Sequence, residues 1–176
     1  MSNPTSYMNV LNGTETTQSL LLAAGCTVGG RPHPGAGTNR VLTTATSLGL
    51  TAATHANKTV VVDSVAPFAF TLPAATGTGD TYEIFINTPC TGTSSTISTV
   101  ATAEVMSGVC WGATTSSNAV VGYIATATDN TVSLNGTTKG GVKGDLIVFV
   151  DVKTSTWSCQ IFSSPTSTTA TPFSHV

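Results

Sequence analysis

Side chains able to do chemistry are few in this sequence, and they are scattered. His33, His55 and His175 lie far apart, and Cys26, Cys90, Cys110 and Cys159 show no C-x-x-C or other metal-ligand spacing. A zinc centre needs about four converging nitrogen or sulfur ligands, so no metal site is expected. The carboxylates Asp63, Asp80, Glu83, Glu104, Asp129, Asp145 and Asp151 could in principle supply the two acids of a glycosidase. Asp80 and Asp145, however, each follow glycine in turn-rich segments, where a carboxylate accepts from local backbone N–H groups. A Ser/His/Asp or Cys/His set assembles in space, not in sequence, but no serine stands in a G-x-S-x-G context and no cysteine in a known nucleophile signature. Gly77-Thr78-Gly79 lacks the lysine and the following helix of a phosphate loop. The triplets beginning at Asn12, Asn57 and Asn135 match a glycosylation pattern, which a threonine-rich chain produces by chance. The chain is expected not to be an enzyme and to carry no cofactor.

The elements that would position these residues read as short strands. Residues 59–63 (TVVVD), 68–72 (FAFTL) and 82–86 (YEIFI) alternate or concentrate β-branched and aromatic residues, the strand signature. Pro73 ends the second run, because proline cannot donate to a ladder. Further runs follow at 96–100, 104–109, 120–125, 131–134, 146–152 and 156–162. The run at 146–152 (LIVFVDV) is the most apolar and is expected to be central, and the last run places Trp157, Cys159 and Ile161 on one face. Asn135-Gly136 is a strong turn dipeptide and is expected to close a hairpin. Residues 70–86 and 132–150 echo each other as strand, turn, Gly-Asp, strand. No long helix is expected. The fold class that follows is all-β, an antiparallel β-sandwich or barrel of short strands.

Composition narrows the partners. Six basic and eight acidic side chains in 176 residues give a net charge of −2. Nucleic-acid binding needs clustered Lys and Arg, and none cluster here. Low charge removes repulsion between copies and favours assembly. Four thiols allow two bridges in three pairings; buried or idle thiols of a reducing cytosol are the expected state. Residues 1–12 lack the basic and apolar regions of a signal peptide, and LLLAA at 20–24 is too short to span a bilayer, so no membrane association is expected.

Residues 1–49 differ from the rest. They are rich in Ser, Thr, Asn and Gly, and the stretch GGRPHPGAG at 29–37 is dense in breakers. This segment is expected to be an extended N-terminal arm that orders on binding, with Val10, Leu11, Leu20, Leu21, Leu22, Val41 and Leu42 as its buryable anchors. Residues 50–176 form the expected β-domain.

The pattern LTAATHANKTVVVD…FTLPAATGTGDTYEIFI at 50–86, continued by VSLNGTTKGGVKGDLIVFV at 132–150 and TPFS at 171–174, resembles the decoration (cement or head-fibre) proteins on the capsids of tailed bacteriophages. The resemblance covers residues 50–176. It implies a homotrimer on the outer surface of the virion, assembled in the bacterial cytoplasm, that reinforces contacts between major capsid proteins; the composition break near Leu50 adds the expectation that residues 1–49 dock it on the shell. The alternative is a trimeric tail-fibre or spike domain that binds host glycan, marked by exposed aromatics and carboxylates on one face. A small hydrolase is the least supported reading.

Overall fold

The structure, a computed structural model, describes residues 27–28, 31–32, 39–91, 95–115 and 117–176. It is built almost wholly of strands. A two-residue pair, β1 (Thr27–Val28) with β2 (Arg31–Pro32), precedes two larger sheets. The strands of those sheets are β3 (Arg40–Thr43), β4 (Ser47–Gly49), β5 (Lys58–Val62), β6 (Ala69–Thr71), β7 (Thr81–Ile86), β8 (Ser95–Ser98), β9 (Val105–Ala113), β10 (Val120–Ile124), β11 (Thr131–Leu134), β12 (Leu146–Lys153), β13 (Thr156–Ser163) and β14 (Phe173–Ser174). One helical turn, α1 (Ala52–His55), joins β4 to β5 and is closed by the His55 Nδ1 accepting from Thr51 N–H at 3.0 Å.

The seven-stranded sheet has the order β10-β9-β13-β12-β7-β5-β3, and the five-stranded sheet the order β14-β11-β8-β6-β4. From β3 to β8 the chain alternates between the sheets, one strand in each. A strand that leaves its sheet and returns from the far side arrives running in its original direction. β3, β5 and β7 therefore pair in parallel, as do β4, β6 and β8. The expected all-antiparallel arrangement is thus corrected. Both sheets are mixed, because most turns here connect different sheets rather than close hairpins. Asn135-Gly136 is a case in point. It turns with Gly136 at φ +70°, where a Cβ would meet the Cys90 carbonyl, yet it links β11 to β12 in the other sheet.

The internal echo has a structural counterpart. Its two segments are not hairpins but crossings, β6 to β7 and β11 to β12, from the five- to the seven-stranded sheet. β7 and β12 then pair antiparallel, and each Gly-Asp extends the ladder at its own end. Gly79 N–H donates to the Asp151 carbonyl and Asp151 N–H to the Asp80 carbonyl, while Gly144 N–H donates to the Ile86 carbonyl and Ile86 N–H to the Asp145 carbonyl.

Both sheets contribute to one apolar cluster. The inward row Tyr123, Cys110, Ile161, Ile147, Ile84, Val60, Val41 crosses the whole seven-stranded sheet in register. It meets Phe70, Ile97, Val132, Leu134 and Phe173 of the other sheet. β12 is the central strand, as expected, with Ile147 and Phe149 fully buried, and Trp157, Cys159 and Ile161 share the inward face of β13. Gly108 of β9 is required by proximity: a Cβ there would lie 1.7 Å from the Cys159 carbonyl oxygen.

Residues 39–49, assigned to the arm by composition, belong to the sheets as β3 and β4. The sheet-forming unit therefore begins upstream of Leu50. The arm anchors Val10, Leu11, Leu20, Leu21 and Leu22 lie outside the described residues.

Candidate functional site

The residues singled out for chemistry are dispersed and locally engaged. Among the described residues no three His, Cys, Asp or Glu side chains converge as a metal set. Asp145 accepts from the N–H groups of Gly141, Ser164 and Val142 at 2.7, 2.8 and 3.2 Å. It does what a carboxylate after a turn glycine was expected to do. Burial pushes its carboxyl above the usual range, against the pull of those amides. Asp151 gathers the loop before β7: Gly77, Thr76 and Thr78 N–H donate to it at 2.6, 3.0 and 3.2 Å, helped by both threonine hydroxyls. Burial alone would raise its carboxyl, but the amides together hold it below the usual range. Gly77, at φ +82°, supplies the backbone twist that aims these amides inward. Hydrogen bonds from Thr88 and Asn87 hold the Asp63 carboxyl low. Asp129 accepts from Thr126 N–H, Glu83 from the Thr59 hydroxyl, Asp80 from the Asn57 amide, and Glu104 from Ala75 N–H.

His55 is buried, which lowers its pKa, and His175 bonds the Thr128 carbonyl at 2.7 Å. His33 and Cys26 lie outside the described residues. Cys90, Cys110 and Cys159 are free and buried, and burial raises the pKa of each. They are poor nucleophiles, since the thiolate is the reactive form. The arrangement is that of groups tying loops to strands.

What the sheets do build is a surface. Residues directly opposite on paired strands share a face. On the outward face of the seven-stranded sheet the register aligns Gly122, Trp111, Phe162, Leu146, Phe85, Val61 and Leu42 across all seven strands. Trp111 is 51 % exposed, Phe162 48 % and Leu42 54 %. The row that aligns with Ile124 is more polar and contains Gln160, Glu83 and Arg40. The two β3 anchors thus part company. Val41 ends the inward row and packs against this protein's own core, whereas Leu42 ends the outward row.

At the β9–β10 end the indole of Trp111 lies over Gly122, where a Cβ would come within 3.3 Å of the ring. An open recess of about 230 Å³ forms there, lined by Val109, Trp111, Gly122, Tyr123 and Ile124. The Tyr123 hydroxyl is given to Thr169 at 2.8 Å, so the recess is apolar in character. A second, polar recess of about 380 Å³ lies among Asn39, Asn57, Lys58, Thr59, Thr81 and Glu83. Sequence reasoning found most of the strands carrying the outward row, though not β3 or the end of β9 that holds Trp111, and it did not find the row, because alternation reveals a residue's face and not its neighbour across the ladder.

No family model, no curated protein and no solved structure matches this chain. No helix among the described residues is long and apolar enough to cross a membrane.

Proposed function

We propose that this chain is a structural virion protein, a capsid decoration (cement) protein of a tailed bacteriophage. It binds the outer surface of the head and stabilises contacts between major capsid proteins. In this reading the two sheets stack as a β-sandwich, the β-unit forms a homotrimer, and the part of the 1–49 arm that precedes β3, with Val10, Leu11, Leu20, Leu21 and Leu22 as anchors, docks on the shell.

The observation that carries the reading is the outward apolar row crossing all seven strands of a sparsely charged chain. Contiguous exposed apolar surface marks a place where protein meets protein. Covering Trp111, Phe162 and Leu42 contributes on the order of 1 kcal/mol each, half of what full burial of a large side chain gives. That is modest for one contact and sufficient when several copies act together, because the first contact raises the effective concentration of the next. Binding only the assembled shell then stabilises the shell by linkage.

One observation favours the alternative, a trimeric tail-fibre or spike domain binding host glycan: Trp111 and Phe162 are exposed and directly opposed on β9 and β13. Sugar recognition needs hydrogen-bonding groups beside the stacking ring. The recess at Trp111 offers Val109, Gly122 and Ile124 instead, and the Glu83 carboxylate on this face is already engaged by Thr59. The geometry suits protein better than carbohydrate.

Two measurements test the proposal. The full chain, mixed with undecorated phage shells, should co-sediment at high copy number and raise the temperature at which they open. In purified virions it should be abundant over the head. Absence from the head with a few copies at the tail would establish the fibre reading instead.

A further inference from the structure

β10 is the outer strand of the seven-stranded sheet, and it lacks the usual protections of an edge. Natural edges are blunted by lysine, proline, bulges or inward charges. The β10 sequence VVGYI has none of these, and its ladder with β9 is regular over all five residues. Ala125 N–H donates to the Gly108 carbonyl and Thr114 N–H to the Ala119 carbonyl. By antiparallel alternation Val121 and Tyr123 also bond β9, while Val120, Gly122 and Ile124 turn their N–H and C=O groups away from it. Among the described residues nothing meets those groups. The side chains above them are also unaccompanied: Val120 is 65 % exposed and Ile124 82 %.

We propose that β10 is a strand-addition site for a second copy of this chain, pairing antiparallel with the same strand of its partner about a twofold axis at Gly122. The reasoning rests on self-complementarity. In the register Gly122 to Gly122, with Val120 opposite Ile124 on both sides, every outward N–H and C=O of the three residues finds a partner. A one-residue slip sets outward groups against inward ones. No like charges meet, because the strand carries none. Val120 stacks beside the partner's Ile124, an apolar cross-strand pair, and the two Trp111 rings, each flat on its own Gly122, flank the axis. A larger residue at 122 would lift the indole into the path of the partner strand.

The apolar area offered by Val120, Ile124 and Trp111 is on the order of 400 Å² per copy, below the ~800 Å² per partner of a standard stable interface. Backbone pairing supplies the remainder. It extends the self-association proposed above without depending on its threefold symmetry. A twofold contact is isologous: it closes two free chains into a dimer, or joins two trimers edge to edge.

The test uses full-length protein in a Cys26→Ser background. Val120→Cys and Ile124→Cys chains are prepared separately. Hydrogen-bonded antiparallel pairs place Cα atoms about 5.5 Å apart, within disulfide reach. Mild oxidation should therefore cross-link the mixed sample and neither variant alone. Independently, Ile124→Lys should halve the mass measured by sedimentation while leaving the circular dichroism spectrum unchanged. Cross-linking of a single variant with itself, no cross-link in the mixture, or an unchanged mass for Ile124→Lys would each overturn the proposal. Shell binding is read separately. A chain that fails to decorate shells but still gives the 120–124 cross-link defeats the decoration reading and leaves this contact standing.

Discussion

Asp151 offers the sharpest check on how this fold is held. Its carboxylate gathers three backbone N–H groups and two hydroxyls of the loop before β7. Asp151→Asn keeps the shape and removes the charge. The amide oxygen still accepts one or two of these donors, but the NH₂ group now faces the rest. Each buried donor left unmet costs about 1–3 kcal/mol, and bonds to a charged acceptor are worth about 1.5–3 kcal/mol. A loss of about 2–4 kcal/mol is expected at pH 7, a fall of about 5–15 °C in Tm for a chain of this length. The sign of the pH dependence follows from the lowered carboxyl. A group whose folded pKa lies below its unfolded value of about 3.9 stabilises above that value. The contribution is lost as pH falls through the folded pKa. Urea unfolding of the wild type and Asp151→Asn at pH 7 and pH 3 should show a large deficit that shrinks in acid. Equal midpoints at pH 7 would refute the role of the carboxylate, and an undiminished deficit at pH 3 would refute the role of its charge.

Two further outcomes follow from the core. Phe149→Ala, at the centre of the seven-stranded sheet and fully buried, should cost about 3–5 kcal/mol in denaturant unfolding; an unchanged midpoint would mean that the cluster tolerates the void. Cys90, Cys110 and Cys159 should resist a thiol reagent in the native Cys26→Ser protein and all react once it is unfolded; rapid native labelling would show that one of them is reached by solvent.

Much of the strand content was legible in the sequence, because period-two patterning is a direct imprint of a half-buried ladder. Residues 131–134 coincide with β11, and the runs at 82–86, 146–152 and 156–162 differ from β7, β12 and β13 by a residue at an end. β3, β4 and β14 were missed. Each is only two to four residues long, with three or fewer turns of alternation to betray it. Topology was not legible either. A turn such as Asn135-Gly136 announces that the chain reverses, but whether the next strand joins the same sheet depends on apolar faces far away in sequence. The outward row was hidden for the same reason: Trp111 and Phe162 are neighbours only through the parallel β9–β13 register.

The alternation of the chain between two sheets also sets a schedule for its synthesis. Emerging from a ribosome, β5 can add to β3 and β7 to β5, each turn of the coil templating the next. The other edge of β7 must wait for β12, roughly 60 residues later, about 3–12 s at ordinary elongation rates of ~5–20 residues per second. During that interval TYEIFI, an apolar strand with a single charge, presents an open ladder at a crowded exit site. The nascent chain is most vulnerable to mispairing with its siblings then, and agents that shield open strand edges would raise its yield most if they acted before residue 146 is made.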